Sequence, residues 1–410
     1  MAFTVVALTG LGTGWATAAS LPSVDPFYTP PAVAADRTPG SVLRTRPSRF
    51  APARIATPVA STQVLYRTTD QHGRASSTVT TILQPVAGAR AGRVVSFHMA
   101  YDALGSQCDP SYTLSGNDPG RIADAESAAI SAYLAAGYIV SVPDYEGPDL
   151  EWTIGRQSGY AALDGVRATL AVLRLPASTP VGLVGYSGGS VPTEYGAEVA
   201  PTYAPELNIV GAAAGGLPVD LAHNLPYING SRGWAGVIPA LTVAYQRAYG
   251  LDLDSFLSAR GIQVVDEVRD QCIASFAASY PGLTDAQMTA PPYRGYLDVP
   301  AVVRAIDDNI MGSAGTPRTP VMLANGIDDG TGDGVMVLRD VEGLANRLCD
   351  GGVRTTFTAY PGADHARAFP RFEADAFGYL AGRFAGVAAR DNCGSVALGN
   401  SLAPAPVPGG

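Results

Sequence analysis

The sequence predicts an α/β protein in which helices cover both faces of a mostly parallel central sheet. Short apolar runs alternate with segments of helical spacing from about residue 92 to residue 215, and the alternation resumes after residue 312. A hairpin pattern precedes both stretches. The chain has 410 residues, 47% hydrophobic and 15% charged, which suffices for one large domain carrying an insertion.

The first part of the core, residues 61–215, contains a hairpin followed by alternating strands and helices. The segments "TQVLYRTTD" and "STVTTILQP" alternate polar and apolar residues on either side of "QHGRAS", as is typical of a hairpin. The apolar runs "GRVVSFHMAYD", "YIVSVPD", "VGLVGY" and "NIVGAAAG" predict buried strands. The segments "RIADAESAAISAYLAAG" and "YAALDGVRATLAVLRL" predict helices.

A mainly helical segment interrupts this alternation over residues 216–312. It includes "GVIPALTVAYQRAYG" and "DVPAVVRAIDDNI", and we expect it to form a lid or cap. The second part of the core, residues 313–395, follows with the strands "TPVMLANG" and "VRTTFTAY" and the helix "VMVLRDVEGLANRLCDGG" between them. A last helix is predicted from about Phe372 to Phe384.

The two ends of the chain differ in composition from the core. An apolar run followed by "ATA" predicts a signal peptide over residues 1–19 and therefore secretion; the alternative is a buried strand or helix. Proline-rich residues 20–60 predict an extended surface arm, and residues 396–410 a flexible tail. Beyond the signal peptide, no stretch is apolar over the ~20 residues that a transmembrane segment needs.

Charge and cysteine content limit the classes of partner and cofactor. The net charge of −9 disfavours nucleic acid, which binds basic surfaces. In an exported chain, the four cysteines indicate two disulfides, for which three connectivities exist; they are Cys108, Cys272, Cys349 and Cys393. Neither their spacing nor the scattered histidines suit zinc, so the sequence predicts no metal and no other cofactor.

The stretch "VGLVGYSGGS" places Ser187 between a predicted strand and a predicted helix. Gly185 and Gly189, two residues before and after it, leave room for a strained turn that exposes the hydroxyl. The N–H groups at the start of the helix point to the same place. We therefore expect Ser187 to be the nucleophile of an acyl-transfer enzyme; the alternative is an ordinary serine in a glycine-rich turn.

A serine nucleophile needs a base, and imidazole is suited to that task. Two histidines follow Ser187, and His365 lies directly after the last predicted strand, in "AYPGADHARAF". We expect His365 to be the base and His223 to lie on the surface or in the lid. The transition state also needs two N–H donors at its oxyanion, which we expect from the backbone of Gly188 and of Asp102 in "AYDALGSQCDPSY".

The acid that orients the imidazole should follow the strand "TPVMLANG". In "NGIDDGTGDG" the candidates, in order of preference, are Asp329, Asp333 and Asp328. A calcium loop is an alternative, because "DGTGDGVMVLRD" also places Thr331 and Asp340 at the third and twelfth positions of such a loop. The preceding strand and the aspartate at the last position weaken that alternative.

Together these motifs resemble the secretory lipases of lipase-A type from yeasts and actinobacteria, a family of α/β hydrolases. The resemblance covers nearly the whole mature chain and includes "DPFYTPP", "GYIVSVPDYEG", "VGYSGGS", "APELNIVGAAAGG" and "YPGADH". One departure is the "DDGTGDG" run, which stands where yeast members carry D-E-x-V-P after the acid and leaves the choice of acid open.

The resemblance implies an α/β-hydrolase fold with a lid over an acyl-binding tunnel. It implies a catalytic triad of Ser187, Asp329 and His365. It implies an oxyanion hole formed by Asp102 and Gly188, in which a protonated Asp102 carboxyl also donates a hydrogen bond. It also implies the disulfides Cys108–Cys272 and Cys349–Cys393. Our leading hypothesis is a secreted triacylglycerol lipase that acts through an acyl-enzyme and contacts a lipid interface or the cell surface. The alternatives are a short-chain carboxylesterase, an acyltransferase, a peptidase and a non-catalytic surface-binding protein.

Overall fold

The computed structural model describes residues 19–86, 92–117 and 120–409. Its strands are β1 (Val42–Arg49), β2 (Ala60–Thr69), β3 (Ala75–Gln84), β4 (Val94–His98), β5 (Ile139–Pro143), β6 (Pro180–Tyr186), β7 (Asn208–Gly215), β8 (Val321–Ile327) and β9 (Thr355–Pro361). Within the described residues these strands form one sheet in the order β1-β2-β3-β5-β4-β6-β7-β8-β9.

The strands pair in two ways. The neighbours among β1, β2 and β3 are antiparallel, and β3 is also antiparallel to β5. The neighbours from β5 through β4, β6, β7 and β8 to β9 are parallel. The prediction of a mostly parallel sheet is therefore confirmed. Because parallel strands end at the same edge of a sheet, the loops after β4, β6, β8 and β9 lie close together there.

Helices cover both faces of the sheet. They are α1 (Pro110–Thr113), α2 (Gly120–Ala135), α3 (Gly155–Leu173), α4 (Ser190–Tyr203), α5 (Leu221–Ile228), α6 (Val237–Tyr249), α7 (Ala259–Val268), α8 (Ile273–Phe276), α9 (Asp285–Met288), α10 (Pro300–Asp307), α11 (Leu338–Asp350) and α12 (His365–Phe384). None of the helices in the described part of the chain is long and apolar enough to cross a bilayer.

Two apolar layers hold the helices to the sheet. Val184 and Ala213 pack with residues of α2 and α12 on one face. Their neighbours Leu183 and Ala212 pack with residues of α3, α4 and α11 on the other face. This division follows from the two-residue period of a strand, because consecutive side chains point to opposite faces.

The segment between β7 and β8, which we call the inserted segment (residues 216–312), contains α5 to α10. Its helices share an apolar core of their own, which Trp152 and Ile154 from the main core also join. The disulfide Cys108–Cys272 links the loop after β4 to this segment, with Cα atoms 5.8 Å apart. The second disulfide, Cys349–Cys393, has a Cα separation of 5.6 Å. Both predicted pairings are confirmed.

Both ends of the chain contain packed structure within their described residues. The predicted signal peptide lies outside the described residues, except for Ala19. Within the predicted arm, residues 42–49 form β1, an edge strand, where the proline at position 47 is tolerated because it need not donate to a neighbour. The predicted flexible tail instead packs on the core: Leu402 is buried, and Arg347 donates to its carbonyl oxygen at 3.0 Å.

The last helix also begins earlier than predicted. The helix α12 starts at His365, not near Phe372, because the Asp364 side chain accepts a hydrogen bond from the N–H of Arg367 and caps the first turn. His365 therefore lies at the start of a helix and not in a loop, which fixes the position of its backbone.

Candidate active site

Ser187 lies on a sharp turn between β6 and α4. Its φ angle is +55°, a left-handed conformation that is unusual for a residue with a side chain. A Cβ atom on Gly185 would collide with the carbonyl of Gly189, and one on Gly189 would collide with the carbonyl of His98. Both glycines are therefore required by close backbone approaches, and the turn exposes part of Ser187 to the loops at the strand ends.

His365 lies against this turn. The Ser187 hydroxyl donates to His365 Nε2, and the Oγ–Nε2 distance is 2.8 Å. The Tyr186 hydroxyl donates to the carbonyl oxygen of His365 at 2.7 Å, which ties the start of α12 to the end of β6. The rings of Tyr186 and Trp234 lie 5.0 and 5.4 Å from the imidazole. The predicted base thus lies within hydrogen-bonding distance of the predicted nucleophile.

Asp333, and not Asp329, is the acid that contacts the imidazole. His365 Nδ1 donates to Asp333 Oδ2 at 2.7 Å, and the His365 N–H donates to the Asp333 carbonyl at 2.9 Å. The buried Asp333 Oδ1 accepts from the N–H groups of Val335 and Met336 at 3.1 and 2.7 Å. Since a carboxylate only accepts hydrogen bonds, the proton of the imidazole resides on Nδ1 and leaves Nε2 free to accept.

The preference for Asp329 is wrong because the chain folds back after β8. The N–H groups of Asp328 and Asp329 both donate to the Gly332 carbonyl, which closes a turn and directs these two side chains away from His365. Asp329 Oδ2 accepts from the Tyr227 hydroxyl at 2.9 Å. Asp328 pairs with Arg367 at 2.8 Å. The next carboxylate along the chain is the one that returns to the strand edge.

The same partners argue against the calcium loop. Asp329 Oδ1 accepts from the backbone of Thr331 and Gly332, while Asp333 holds His365. Asp340 accepts from His223 Nδ1 at 2.8 Å, and this bond raises the pKa of that histidine. The carboxylates of the loop therefore point to separate partners. In the described residues, no group of three or more His, Cys, Asp or Glu side chains could hold a metal ion.

The two predicted oxyanion donors lie next to each other. Asp102 has a φ angle of +39°, and a Cβ atom on Gly188 would collide with the Asp102 carboxyl. The loop after β4 thus contacts the residue that follows the nucleophile. Burial raises the pKa of Asp102 to about 7 and outweighs the opposing effects of His365 and of the Trp152 ring N–H.

A small apolar cavity of about 40 Å³ adjoins Ser187, Gly188 and Asp102. The inserted segment provides most of its remaining wall, including Leu221, Ile228, Trp234, Val237, Leu241 and Ile273. Leu221 and Leu241 also line a second cavity of about 20 Å³ deeper in that segment. The serine therefore faces apolar side chains that come from outside the sheet.

Comparison with known proteins agrees with this site. A family profile described as "Secretory lipase" matches residues 119–392. The chain is 36% identical over 377 residues to a probable inactive lipase of Mycobacterium tuberculosis, a match that covers 89% of this chain and 83% of that protein. The chain belongs to the secretory lipase family. Its membership makes it a carboxylic ester hydrolase by class.

Two further lipases extend the likeness to an experimental structure. Lipase A of Arthroderma benhamiae is 34% identical over 354 residues, which cover 81% of this chain and 73% of that protein. The X-ray structure of Candida antarctica lipase A in its closed state superposes with a TM-score of 0.85 at 27% identity, covering 92% of this chain and 90% of that one. The predicted α/β-hydrolase fold is therefore confirmed.

Several residues around the site were not predicted from the sequence. From the inserted segment, Trp234 contacts the imidazole of His365, and Tyr227 contacts Asp329 in the acid loop (residues 328–337). Glu126 and Glu146 hydrogen-bond to the loop of Asp102. No local motif assigns these residues a role, because each reaches the site from an element distant in sequence. The burial of unpaired glutamates is a signal that only the fold reveals.

Proposed function

We propose that the protein is a secreted acylglycerol hydrolase whose triad is Ser187, His365 and Asp333. The observation that carries the proposal is the chain of two hydrogen bonds, 2.8 and 2.7 Å long, that joins the three side chains. It lies at the carboxyl edge of a parallel sheet, and the oxyanion donors predicted from sequence adjoin it.

The geometry supports an acyl-enzyme mechanism. The Ser187 oxygen attacks the ester carbonyl while its proton passes to His365 Nε2, and Asp333 stabilises the imidazolium through Nδ1. The N–H groups of Gly188 and Asp102 donate to the oxyanion that forms. The intermediate then collapses, and His365 gives the proton to the departing alcohol. Water, deprotonated by the same imidazole, releases the acid and restores the serine.

The apolar wall from the inserted segment supports an acyl substrate. The exposed wall of the cavity beside the nucleophile is almost entirely apolar, although the Asp102 carboxyl also lines it, and such a wall favours a hydrocarbon chain over a peptide amine or a sugar. We infer that the inserted segment acts as a lid that must move before a long chain can bind, because the cavity of about 40 Å³ holds only a short group. Secretion is supported by the apolar N-terminus and by the two disulfides.

The first experiment tests whether Ser187 is a nucleophile. The purified protein should hydrolyse p-nitrophenyl esters and react with a fluorophosphonate, and Ser187→Ala should lose both reactions. This test is necessary because the relative from Mycobacterium tuberculosis is named a probable inactive lipase. An unreactive, correctly folded wild-type protein would refute the proposal and favour a non-catalytic role.

Short-chain carboxylesterase is a second candidate, because the cavity beside Ser187 is small. A rate profile over esters from acetate to oleate, measured below and above their solubility limits, separates the two. A lipase should gain activity when long-chain esters form an interface. Activity restricted to dissolved acetate and butyrate esters would instead identify an esterase.

A further inference from the structure

Two buried glutamates hold the loop that carries Asp102. The N–H of Ala100 donates to Glu126 Oε1 at 2.7 Å, and the N–H of Ala103 donates to Glu146 Oε2 at 3.0 Å. Asp102 lies between these two attachment points. Glu126 belongs to α2 and Glu146 follows β5, so the loop is held from two separate elements.

Both carboxyls are buried, and the effect of Arg247 on the pKa of Glu146 is smaller than that of burial. Neither forms an ion pair within the described part of the chain, and the second oxygen of each, Glu126 Oε2 and Glu146 Oε1, has no hydrogen-bond partner there. Burial raises the pKa of both groups well above the ordinary value. Burying a carboxyl in this way is costly, and among the described residues the only hydrogen bonds that their side-chain oxygens accept come from the loop of Asp102.

The loop needs such support because its conformation is strained. Asp102 is held at a φ angle of +39°, which costs energy for a residue with a Cβ atom unless the surroundings enforce it. Other contacts restrain the flanks: the Tyr145 hydroxyl donates to the Met99 carbonyl at 2.8 Å, and Ala103 pairs with Cys272 in an antiparallel bridge. The glutamates add one attachment point on each side of Asp102.

We propose that Glu126 and Glu146 are positioning residues that fix the N–H of Asp102 toward the reacting carbonyl. The proposal rests on the proposed function, in which Asp102 donates to the oxyanion. Neither glutamate touches the substrate, so their effect should appear in the transition state and not in substrate binding. What matters is an oxygen that accepts the loop N–H, in either protonation state of the carboxyl.

The experiment compares two substitutions at each position with a matched control. Glu126→Gln and Glu146→Gln keep an acceptor oxygen in place and should retain kcat within about threefold. Glu126→Leu and Glu146→Leu remove the acceptor at similar volume and should lower kcat by about 10- to 100-fold with KM nearly unchanged. Glu194→Leu is the control, because Glu194 is a buried carboxyl on α4, beside Glu198, that accepts no backbone N–H in the described residues; its kcat should not change.

A second readout separates positioning from a general loss of structure. A trifluoromethyl ketone forms an oxyanion with the serine, and its affinity should fall in the Leu variants by the same factor as kcat. If a Leu variant does not fold, Glu126→Asp and Glu146→Asp replace it, because the shorter side chain withdraws the acceptor and keeps the carboxyl.

The outcomes distinguish this proposal from the one on which it rests. Folded Leu or Asp variants with wild-type kcat would refute positioning while Ser187→Ala remains inactive. A fall in kcat without a fall in ketone affinity, or a failure of the Gln variants to preserve kcat, would also refute it. If Ser187→Ala keeps full activity, the proposed function itself fails.

Discussion

The nucleophile turn (residues 185–189) and the acid loop (residues 328–337) present their triad members in physically different ways. The turn is held by backbone packed on backbone, with no space for a Cβ atom at Gly185 or Gly189. The acid loop is held by carboxylates that accept backbone N–H groups: Asp329 from residues 331 and 332, and Asp333 from residues 335 and 336. The turn therefore depends mainly on close backbone packing and the acid loop mainly on hydrogen bonds, although a Cβ atom on Gly332 would also collide with the Met336 carbonyl.

Because the acid loop is held by hydrogen bonds, side chains of the inserted segment can bind it and affect the position of Asp333. The Tyr227 hydroxyl accepts from the Gly334 N–H at 2.9 Å and donates to Asp329, and Asn224 Nδ2 donates to the Val335 carbonyl at 2.7 Å. Both side chains belong to α5, the first helix of that segment. A movement of α5 would therefore displace the acid loop before it displaced the turn of Ser187.

The largest effect is expected from Asp333→Asn. An amide in place of the carboxylate offers His365 the wrong hydrogen-bonding partner and destabilises the imidazolium, so kcat should fall by about 10⁴-fold, as in serine proteases. Asp329→Asn, the matched control in the same loop, should change kcat by less than about threefold. Steady-state kinetics on p-nitrophenyl butyrate measures both.

A large loss in the Asp329 variant together with a small one in the Asp333 variant would reverse our assignment of the acid. Thermal denaturation of both variants serves as the control for folding. The comparison between regions would then need revision, because Asp329 would have to leave Tyr227 in order to reach His365.

The next largest effect is expected from an alanine substitution in the nucleophile turn, which we compare with one in the acid loop. Gly189→Ala would drive a methyl group into the carbonyl of His98, a backbone atom that cannot rotate away, so the turn must shift. Because the shift displaces Ser187 and the N–H of Gly188, we expect a loss of at least about 100-fold in kcat/KM. Gly330→Ala in the acid loop meets no atom within 4 Å and should be nearly silent.

Fluorophosphonate labelling rates provide the measurement, since they report on the nucleophile alone. Equal rates for the two alanine variants would show that the turn tolerates displacement. In that case close backbone packing would not be what fixes the nucleophile turn, and hydrogen bonds would hold both regions.

The same contrast explains what the sequence could predict. Ser187 was predictable because its turn is encoded by contiguous glycines, and His365 because only two histidines follow the serine. The sequence alone does not favour Asp333 over Asp329, because the choice depends on the turn that Gly332 closes and on contacts with the distant Tyr227. The strands and the inserted segment followed from periodicity. Edge strand β1 and the packed tail did not, because their order comes from partners elsewhere in the chain.

The buried Asp102 carboxyl, beside the nucleophile turn, should make the stability of the protein depend on pH. Burial raises the pKa of Asp102 from 3.8 to about 7, so the folded protein retains a proton that the unfolded chain releases. Stability should therefore decrease as pH rises between these two values. The raised pKa values of Glu126 and Glu146 act in the same direction. Melting temperatures from pH 5 to pH 8 should fall by a few degrees.

The variant Asp102→Asn tests how much of this pH dependence comes from Asp102, since an amide does not titrate. Its melting temperature should fall less steeply with pH than that of the wild type, while the buried glutamates supply the remaining slope. Parallel curves for the two proteins would mean that Asp102 keeps an ordinary pKa in the folded state.

The smallest effect should come from Tyr227→Phe, which removes the link between α5 and the acid loop. The variant loses the hydrogen bonds to Asp329 and Gly334, each of which contributes about 1 kcal/mol in exposed or half-buried sites. Asp333 keeps its own backbone donors, so kcat should fall only about two- to fivefold. Tyr280→Phe is the control, because that hydroxyl also belongs to the inserted segment but donates to Glu267 instead. An unchanged kcat in both variants would show that the acid loop holds Asp333 without help from α5, and the inserted segment would then influence the substrate alone.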